Sequence, residues 1–314
     1  MVAYMIIKVL FLKLRNKIKF RQYYINPNMR MSYLAQQKIG VFINFLFALP
    51  EIFLKYPALS GLRDLKNSKS DHTALLIANG PSSNNLNLEK IKLAVQDGHL
   101  DLFLINFSIL DEAFQQLNPT YLVLSDEATR PDVDTVRNRQ LWDEISMLKS
   151  TQVVTPMLWH GKYAELKCQD SSCLHFVDVC LIGWTQNCSP MYPYGYVPLT
   201  AYKALSVAGY LNYSQILISG YDNSMFRNIS VNSKNRLVEN PHHSIGNYTD
   251  AIDLTGLYQN GISDYFYGLS LSFSTLKYAF QEFPITNLGV NSEVDCFPKI
   301  SKLAKWSHLI NEND

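Results

Sequence analysis

Leu75-Leu76-Ile77-Ala78-Asn79-Gly80-Pro81-Ser82-Ser83 reads as a buried strand that runs into a tight, glycine-bearing turn with small polar side chains at its rim. In an open α/β sheet the ligand crevice lies beyond the carboxyl ends of the strands. A turn at that place brings backbone N–H groups and short hydroxyls within reach of a phosphate or a ribose. Gly80 permits close approach of the backbone and Pro81 stiffens the turn. The stretch predicts that a nucleotide-handling domain opens here.

The pattern downstream repeats the same theme. Leu86 to Gly98 suits an amphipathic helix with Leu88, Ile91, Ala94 and Val95 on its apolar stripe and Gly98 as its stop. Asp101 to Asn106 reads as a second strand, Ile109 to Leu117 as a helix, and Tyr121 to Leu124 as a third strand ending on Ser125-Asp126-Glu127. Strands separated by helices at this spacing require parallel crossovers. A helix over Pro131 to Lys149 and strands over Gln152 to Thr155 and Leu174 to Val179 follow. Thr200 is placed to cap a helix with Ala204, Leu205, Ala208 and Leu211 inside, and Gln215 to Ser219 is a further buried strand ending at Gly220-Tyr221-Asp222. Asn223 to Asp253 reads as a long polar loop; the tail offers a helix over Ser263 to Phe283, a strand over Ile285 to Leu288 and a helix near Ile300 to Leu309. The expectation is an α/β fold, a Rossmann-like and mostly parallel sheet, spanning residues 71–314.

Residues 1–70 differ in character. From Met1 to Pro50 there is no Asp or Glu, while Lys8, Lys13, Arg15, Lys17, Lys19, Arg21, Arg30 and Lys38 give this segment +8 and leave −7 on the rest of a chain whose total is +1. Two apolar runs flank the basic stretch, Met5 to Leu12 and Val41 to Leu54, each short of the roughly 20 residues that cross a bilayer. This composition predicts a basic, helical, amphipathic extension that lies on an anionic membrane surface, each cation there contributing about 1 kcal/mol. The alternative is a helical extension packed on the main domain or on a second subunit, and a homo-oligomer stays open. Nucleic acid is not the expected partner. Five cysteines (Cys168, Cys173, Cys180, Cys188 and Cys296) lack metal-ligand spacing and suit reduced thiols in a cytoplasmic protein peripheral to the inner face of a membrane.

Four strand ends carry polar groups: Asn79-Gly80-Pro81-Ser82, Asn106, Ser125-Asp126 and Asp222. In a parallel sheet they project toward one edge, so they converge although far apart in sequence. Amides and hydroxyls suit recognition of a ribose and a base. With Thr200 they form the candidate nucleotide-binding set. His242 and His243 are the candidates for proton transfer, because histidine titrates near neutrality; the competing reading is a loop-packing pair. Tyr192, Tyr194 and Tyr196 are placed to stabilise a departing phosphate or simply to pack, with Tyr194 the catalytic candidate. Asp126 offers a carboxylate to hydroxyl groups or to a metal, and no resident cofactor or metal is expected.

These residues also resemble known families. Ile77-Ala78-Asn79-Gly80-Pro81-Ser82 is similar to the opening motif of bacterial sialyltransferases of the Campylobacter lipooligosaccharide type, and to that of proteins with a 6-hydroxymethylpterin-pyrophosphokinase-like (MptE-like) domain. Leu199-Thr200-Ala201-Tyr202 leading to Ile218-Ser219-Gly220-Tyr221-Asp222 is similar to the helix–strand–Gly-x-Asp unit of both groups. His243-Ser244-Ile245-Gly246 resembles the His-Tyr-Ile-Gly of the sialyltransferases, whose catalytic histidine follows that glycine where this chain has Asn247. Asn287 to Ser292 and Cys296-Phe297-Pro298-Lys299 resemble the closing segment of the MptE-like group. The resemblance covers roughly Thr73 to Ile300. It implies a GT-A-type variant of the Rossmann-like sheet and, in the transferase branch, metal-independent transfer from a CMP-activated sugar to a lipooligosaccharide, O-antigen or capsule precursor. The other branch implies a Mg-dependent pyrophosphokinase-like phosphotransferase. A non-catalytic scaffold in surface-polysaccharide assembly is the third expectation.

Overall fold

From Thr73 onward the alternating strands and helices build one seven-stranded sheet in which every neighbouring pair runs parallel. The structure is a computed structural model that describes residues 30–161, 173–239, 252–254, 261–301 and 304–311, with side chains from residue 39 onward. The strands are β1 (Thr73–Ile77), β2 (Leu100–Ile105), β3 (Tyr121–Val123), β4 (Gln152–Pro156), β5 (Cys173–Phe176), β6 (Gln215–Ser219) and β10 (Ile285–Asn287), in the order β10-β6-β1-β2-β3-β4-β5. The helices are α1 (Arg30–Lys55), α2 (Ser60–Asp64), α3 (Leu88–Gln96), α4 (Glu112–Gln115), α5 (Val136–Met147), α6 (Thr200–Leu211) and α7 (Ile262–Ala279).

Parallel sheets are stable when both faces are covered, and their central strands are then apolar throughout. All five residues of β1 are buried. Ala74 and Leu76 join a core that contains Leu205 and Ala208 of α6 and Leu276 of α7. Leu75 and Ile77 point the other way, into a core with Ile91 of α3, Leu141 and Ile145 of α5, and Trp306. The result is a doubly wound, Rossmann-like α/β fold.

Local chemistry moves several element boundaries from where periodicity sets them. The helix expected from Ile109 is a short 3-10 turn, Asn106–Leu110, followed by α4, because the Asp111 carboxylate accepts from the Ala113 N–H and caps the new start. The helix expected from Pro131 begins at Val136, where Thr135 Oγ1 accepts from the Asn138 N–H. Gly98 does end α3: it takes φ of +71°, and the His99 N–H returns to the Ala94 carbonyl at 3.0 Å. The described part of the tail has only a 3-10 turn, Ser307–Leu309, in place of the terminal helix. Within the stretch read as a polar loop, β7 (Ile229–Val231), β8 (Leu237–Glu239) and β9 (Ile252–Asp253) form a small antiparallel sheet over Leu237, Leu254 and Tyr265.

The N-terminal boundary also shifts. Within the extension expected to end at residue 70, Ser60–Asp64 form α2, and Leu59 and Leu62 are fully buried in the same core as β1 and β5. Gly61 lies against Leu174 of β5, where an added Cβ would approach Leu174 Cδ2 to 3.1 Å. Pro50 does not end α1. Lys55 at its end donates from Nζ to the carbonyls of Leu158 at 2.6 Å and His160 at 3.1 Å. The packed unit therefore begins before residue 70.

On β5, His175 Nδ1 lies 3.0 Å from Thr155 Oγ1 and Nε2 lies 3.2 Å from His160 Nδ1. Burial, and secondarily the charge of His160, push the His175 pKa down from 6.5 to about 4. The native state thus holds a neutral ring while the unfolded chain still binds a proton between those two values. Folding stability should therefore rise with pH across that window and be lost on acidification through it, by up to about 3 kcal/mol. Urea titrations of wild type and His175→Gln at a series of pH values check this. The variant should show the flatter pH profile between 6.5 and 4; parallel profiles would mean that His175 is not the group responsible.

Candidate functional site

The chain builds the sheet outward from β1 to β5 and then crosses to place β6 on the opposite side of β1. That reversal is a topological switch point, where helices diverge from the strand ends and leave a crevice. A cavity of about 510 Å³ opens there, within the usual 300–1,000 Å³ of small-ligand sites. Its walls come from the residues after β1 (Asn79, Gly80, Pro81), β2 (Asn106), β3 (Ser125, Asp126) and β6 (Asp222), together with Thr200 at the start of α6.

Two turns are locked together at its base. The Ser82 N–H donates to Asp222 Oδ2 at 2.7 Å, and the Gly220 N–H donates to Ser82 Oγ at 2.9 Å. Gly80 donates its N–H to the Gly220 carbonyl at 3.0 Å. A Cβ on Gly80 would come within 2.5 Å of both that carbonyl and Asp222 Oδ2, so only glycine fits. Gly220 itself has φ of +74° and abuts the Ala78 carbonyl. Ser82 is correspondingly buried and does not border the cavity. Its expected role in holding a ligand is corrected: its hydroxyl is spent on joining β1 to β6. Asp222 borders the cavity, yet its Oδ1 is buried with no hydrogen-bond partner among the described residues.

A second polar joint ties β2, β3 and α6. Asn106 sits at φ of +46°, a left-handed conformation that asparagine tolerates better than most residues. Its Oδ1 accepts from the N–H groups of Ser125 at 3.3 Å and Asp126 at 3.4 Å, and its Nδ2 donates to Thr200 Oγ1 at 3.0 Å. Ser125 Oγ and Thr200 Oγ1 are 2.7 Å apart. The expectation that Thr200 caps its helix is corrected, since Leu199 is the N-cap and no side chain caps that end. The hydroxyl instead completes the Asn106 network and leaves the amino end of α6, with its partial positive charge, at the cavity wall.

The wall holds four carboxylates, Asp126, Glu127, Asp222 and Glu239, and no lysine, arginine or histidine among the described residues. Asp126 accepts from the Ala128 N–H at 3.0 Å, and Glu127 pairs with Arg130. No group of three or more His, Cys, Asp or Glu side chains among the described residues is arranged to hold a metal ion. Tyr202 also borders the cavity, and burial pushes its pKa up to about 12. Its hydroxyl meets Ser272 Oγ and accepts from Asn223 Nδ2, so it is a fixed neutral group.

Tyr194 lies elsewhere. It is buried, stacked on Tyr196 with centroids 4.4 Å apart, and donates its hydroxyl to Asp178 Oδ1 at 3.0 Å. The same carboxylate oxygen lies 2.6 Å from Lys203 Nζ in an ion pair inside the protein. Burial and the Asp178 charge raise the phenol pKa further. The expected catalytic role of Tyr194 is therefore corrected to a structural one. Tyr196 is buried as well, and Tyr192 is exposed away from the cavity wall. His242 and His243 lie outside the described residues.

Sequence reasoning missed Tyr202, Asn223, Asn228 and Glu239 as wall residues. Asn223 had a usable signal: it follows Gly220-Tyr221-Asp222 directly at a strand end and takes φ of +51°. Glu239 had none, because β8 reads as part of a polar loop.

No family model matches the chain, and no curated protein matches it. Among solved structures it is similar to the MAf glycosyltransferase from Magnetospirillum magneticum AMB-1, with 13% sequence identity and a TM-score of 0.43. That match covers 75% of this chain and 34% of the other, so the chain spans about a third of that protein's length.

Removing the Asn106 side chain should loosen three elements at once. Asn106→Ala forfeits several hydrogen bonds and adds strain at a positive φ, an expected loss of about 2–4 kcal/mol in denaturant titration. Asn106→Gly relieves the φ strain and loses only the bonds, so it should be the milder variant. Equal stability of wild type and both variants would show that the joint contributes nothing.

Proposed function

We propose that this cavity binds the nucleotide of an activated sugar and that the protein is a glycosyltransferase. The observation that carries the reading is the cavity at the β1/β6 switch point, bordered by Asn79, Gly80, Asn106, Ser125, Asp126 and Asp222. Its amides, hydroxyls and carboxylates are acceptors and donors suited to a ribose and a base. The donor of this reading is a CMP-sugar, sialic acid or a related ulosonic acid, as the resemblance of the Ile77–Ser82 motif implies. The acceptor is a hydroxyl of a lipooligosaccharide, O-antigen or capsule precursor.

In the reaction the acceptor oxygen forms a bond to the anomeric carbon, the bond from that carbon to the phosphate oxygen breaks, and CMP leaves with the electron pair. A histidine takes the acceptor proton. His243 is the first candidate and His242 the second: β8 ends at Glu239 on the cavity rim, and four residues of chain reach at most about 14 Å. The charge developing on the phosphate is met by the amino end of α6 in place of Tyr194. Asn106 and Ser82 act at one remove, by holding the turns that line the site.

The acid-rich wall without described basic side chains favours one second reading, a Mg-dependent, pyrophosphokinase-like phosphotransferase. In it the substrate's phosphates would supply most of the metal's ligands, since Asp126, Glu127 and Asp222 are not grouped to hold the ion by themselves. CMP release from CMP-sialic acid, assayed with EDTA, separates the two. The transferase reading expects activity that survives chelation and falls roughly 100-fold or more in His243→Ala or His242→Ala, with CMP affinity held within a few-fold. Full activity in both variants would remove both histidines from the mechanism, and EDTA-sensitive ATP turnover without CMP-sugar turnover would replace the reading with the phosphotransferase.

A further inference from the structure

The helix α1 is apolar on two adjacent sides, about 115° apart around its axis. At 3.6 residues per turn, Phe45, Ala48 and Ile52 fall on one side and pack against the core. Ile39, Phe42, Leu46 and Phe53 fall on the other and are exposed, Phe53 by 74%. Among the described side chains no charged residue falls on that outer stripe; Glu51 and Lys55 lie on the far side of the helix from it, and Lys55 is bonded to the Leu158 and His160 carbonyls. The stripe continues onto the domain, since Trp184 of the loop after β5 lies with its ring centroid 4.9 Å from that of Phe42 and is itself 52% exposed. Large contiguous apolar surface of this kind marks an interaction site.

We infer that this face, built from α1 and Trp184, docks in the plane of an anionic lipid bilayer. Charge selects the occupant. The chain from Met1 to Pro50 carries eight lysines and arginines and no acid, and Arg30 is the first residue of α1 itself. A second copy of the chain would bring a segment of the same positive charge, whereas a lipid surface with anionic headgroups neutralises it. The segment Ile39–Asp64 is long and apolar enough to cross a membrane by length and composition, longer than the separate runs in the sequence suggest. Only 6% of its most apolar window is buried, yet Phe45, Ala48 and Ile52 pack partly buried against the core and Leu59 and Leu62 beyond the helix are fully buried, so one side of the segment faces protein rather than lipid. The helix lies along the interface, with the aromatic and aliphatic stripe at the depth of the acyl boundary.

Trp184 supplies the readout. The other three tryptophans, Trp142, Trp159 and Trp306, are each at most 5% exposed, so lipid contact reports on Trp184. The full chain is titrated with phosphatidylcholine vesicles, with and without phosphatidylglycerol, that carry brominated acyl chains. Binding to the anionic vesicles should be roughly tenfold or more tighter, weaken at high salt, and quench tryptophan emission in wild type but not in Trp184→Phe. The double variant Phe42→Glu/Leu46→Glu should lose vesicle binding while keeping its thermal transition and its affinity for CMP. Equal binding to neutral vesicles, or quenching that persists in Trp184→Phe, would overturn the inference. So would a dimer in sedimentation equilibrium that the double variant converts to monomer.

Discussion

The interlock between the turn after β1 and the turn after β6 is the constraint on which the site depends. Asp222 holds the Ser82 N–H, Ser82 holds the Gly220 N–H, and Gly80 fits against both Gly220 and Asp222 with no room for a side chain. These contacts bring residues some 140 positions apart into one rigid rim. They work because glycine at two places lets backbone meet backbone. The crevice at the switch point follows from sheet order, but its shape follows from this joint.

The same arrangement explains how little of the wall is free to move. Asn106 is occupied by Ser125, Asp126 and Thr200, and Tyr202 by Ser272 and Asn223. A preorganised polar wall of this kind orients a ligand without first paying to order its own side chains. Its formal charge is negative, so a phosphate there depends on backbone dipoles, chiefly the amino end of α6. In the proposed reading a sugar nucleotide offers uncharged ribose and base hydrogen-bonding groups to the acidic rim and its phosphate to that helix end.

Much of the fold was legible because central parallel strands are apolar from end to end and end in polar turns. Thr73–Ile77 and Gln215–Ser219 carry that pattern plainly. The polar strand ends also pointed to the edge where the cavity lies. Less was legible in side-chain direction. Ser82 and Asn79 look alike in the sequence, yet one is turned into a buried joint while the other borders the cavity. Tyr194 and Thr200 have the right chemistry for a phosphate or a helix cap, but Asp178 and Asn106 claim their hydroxyls, and these partners lie 16 and 94 residues away. The two-sided apolarity of α1 hid its packing in the same way, because one stripe serves the core and the other faces outward.

Backbone hydrogen exchange with and without CMP, followed by mass spectrometry, tests the central claim most directly. Binding at the switch point slows exchange together in peptides covering residues 78–83, 105–107, 124–128, 198–203 and 220–225, and leaves α1 and β5 unchanged. Slowed exchange confined to other segments, or none at saturating nucleotide, would contradict a nucleotide site built from these turns.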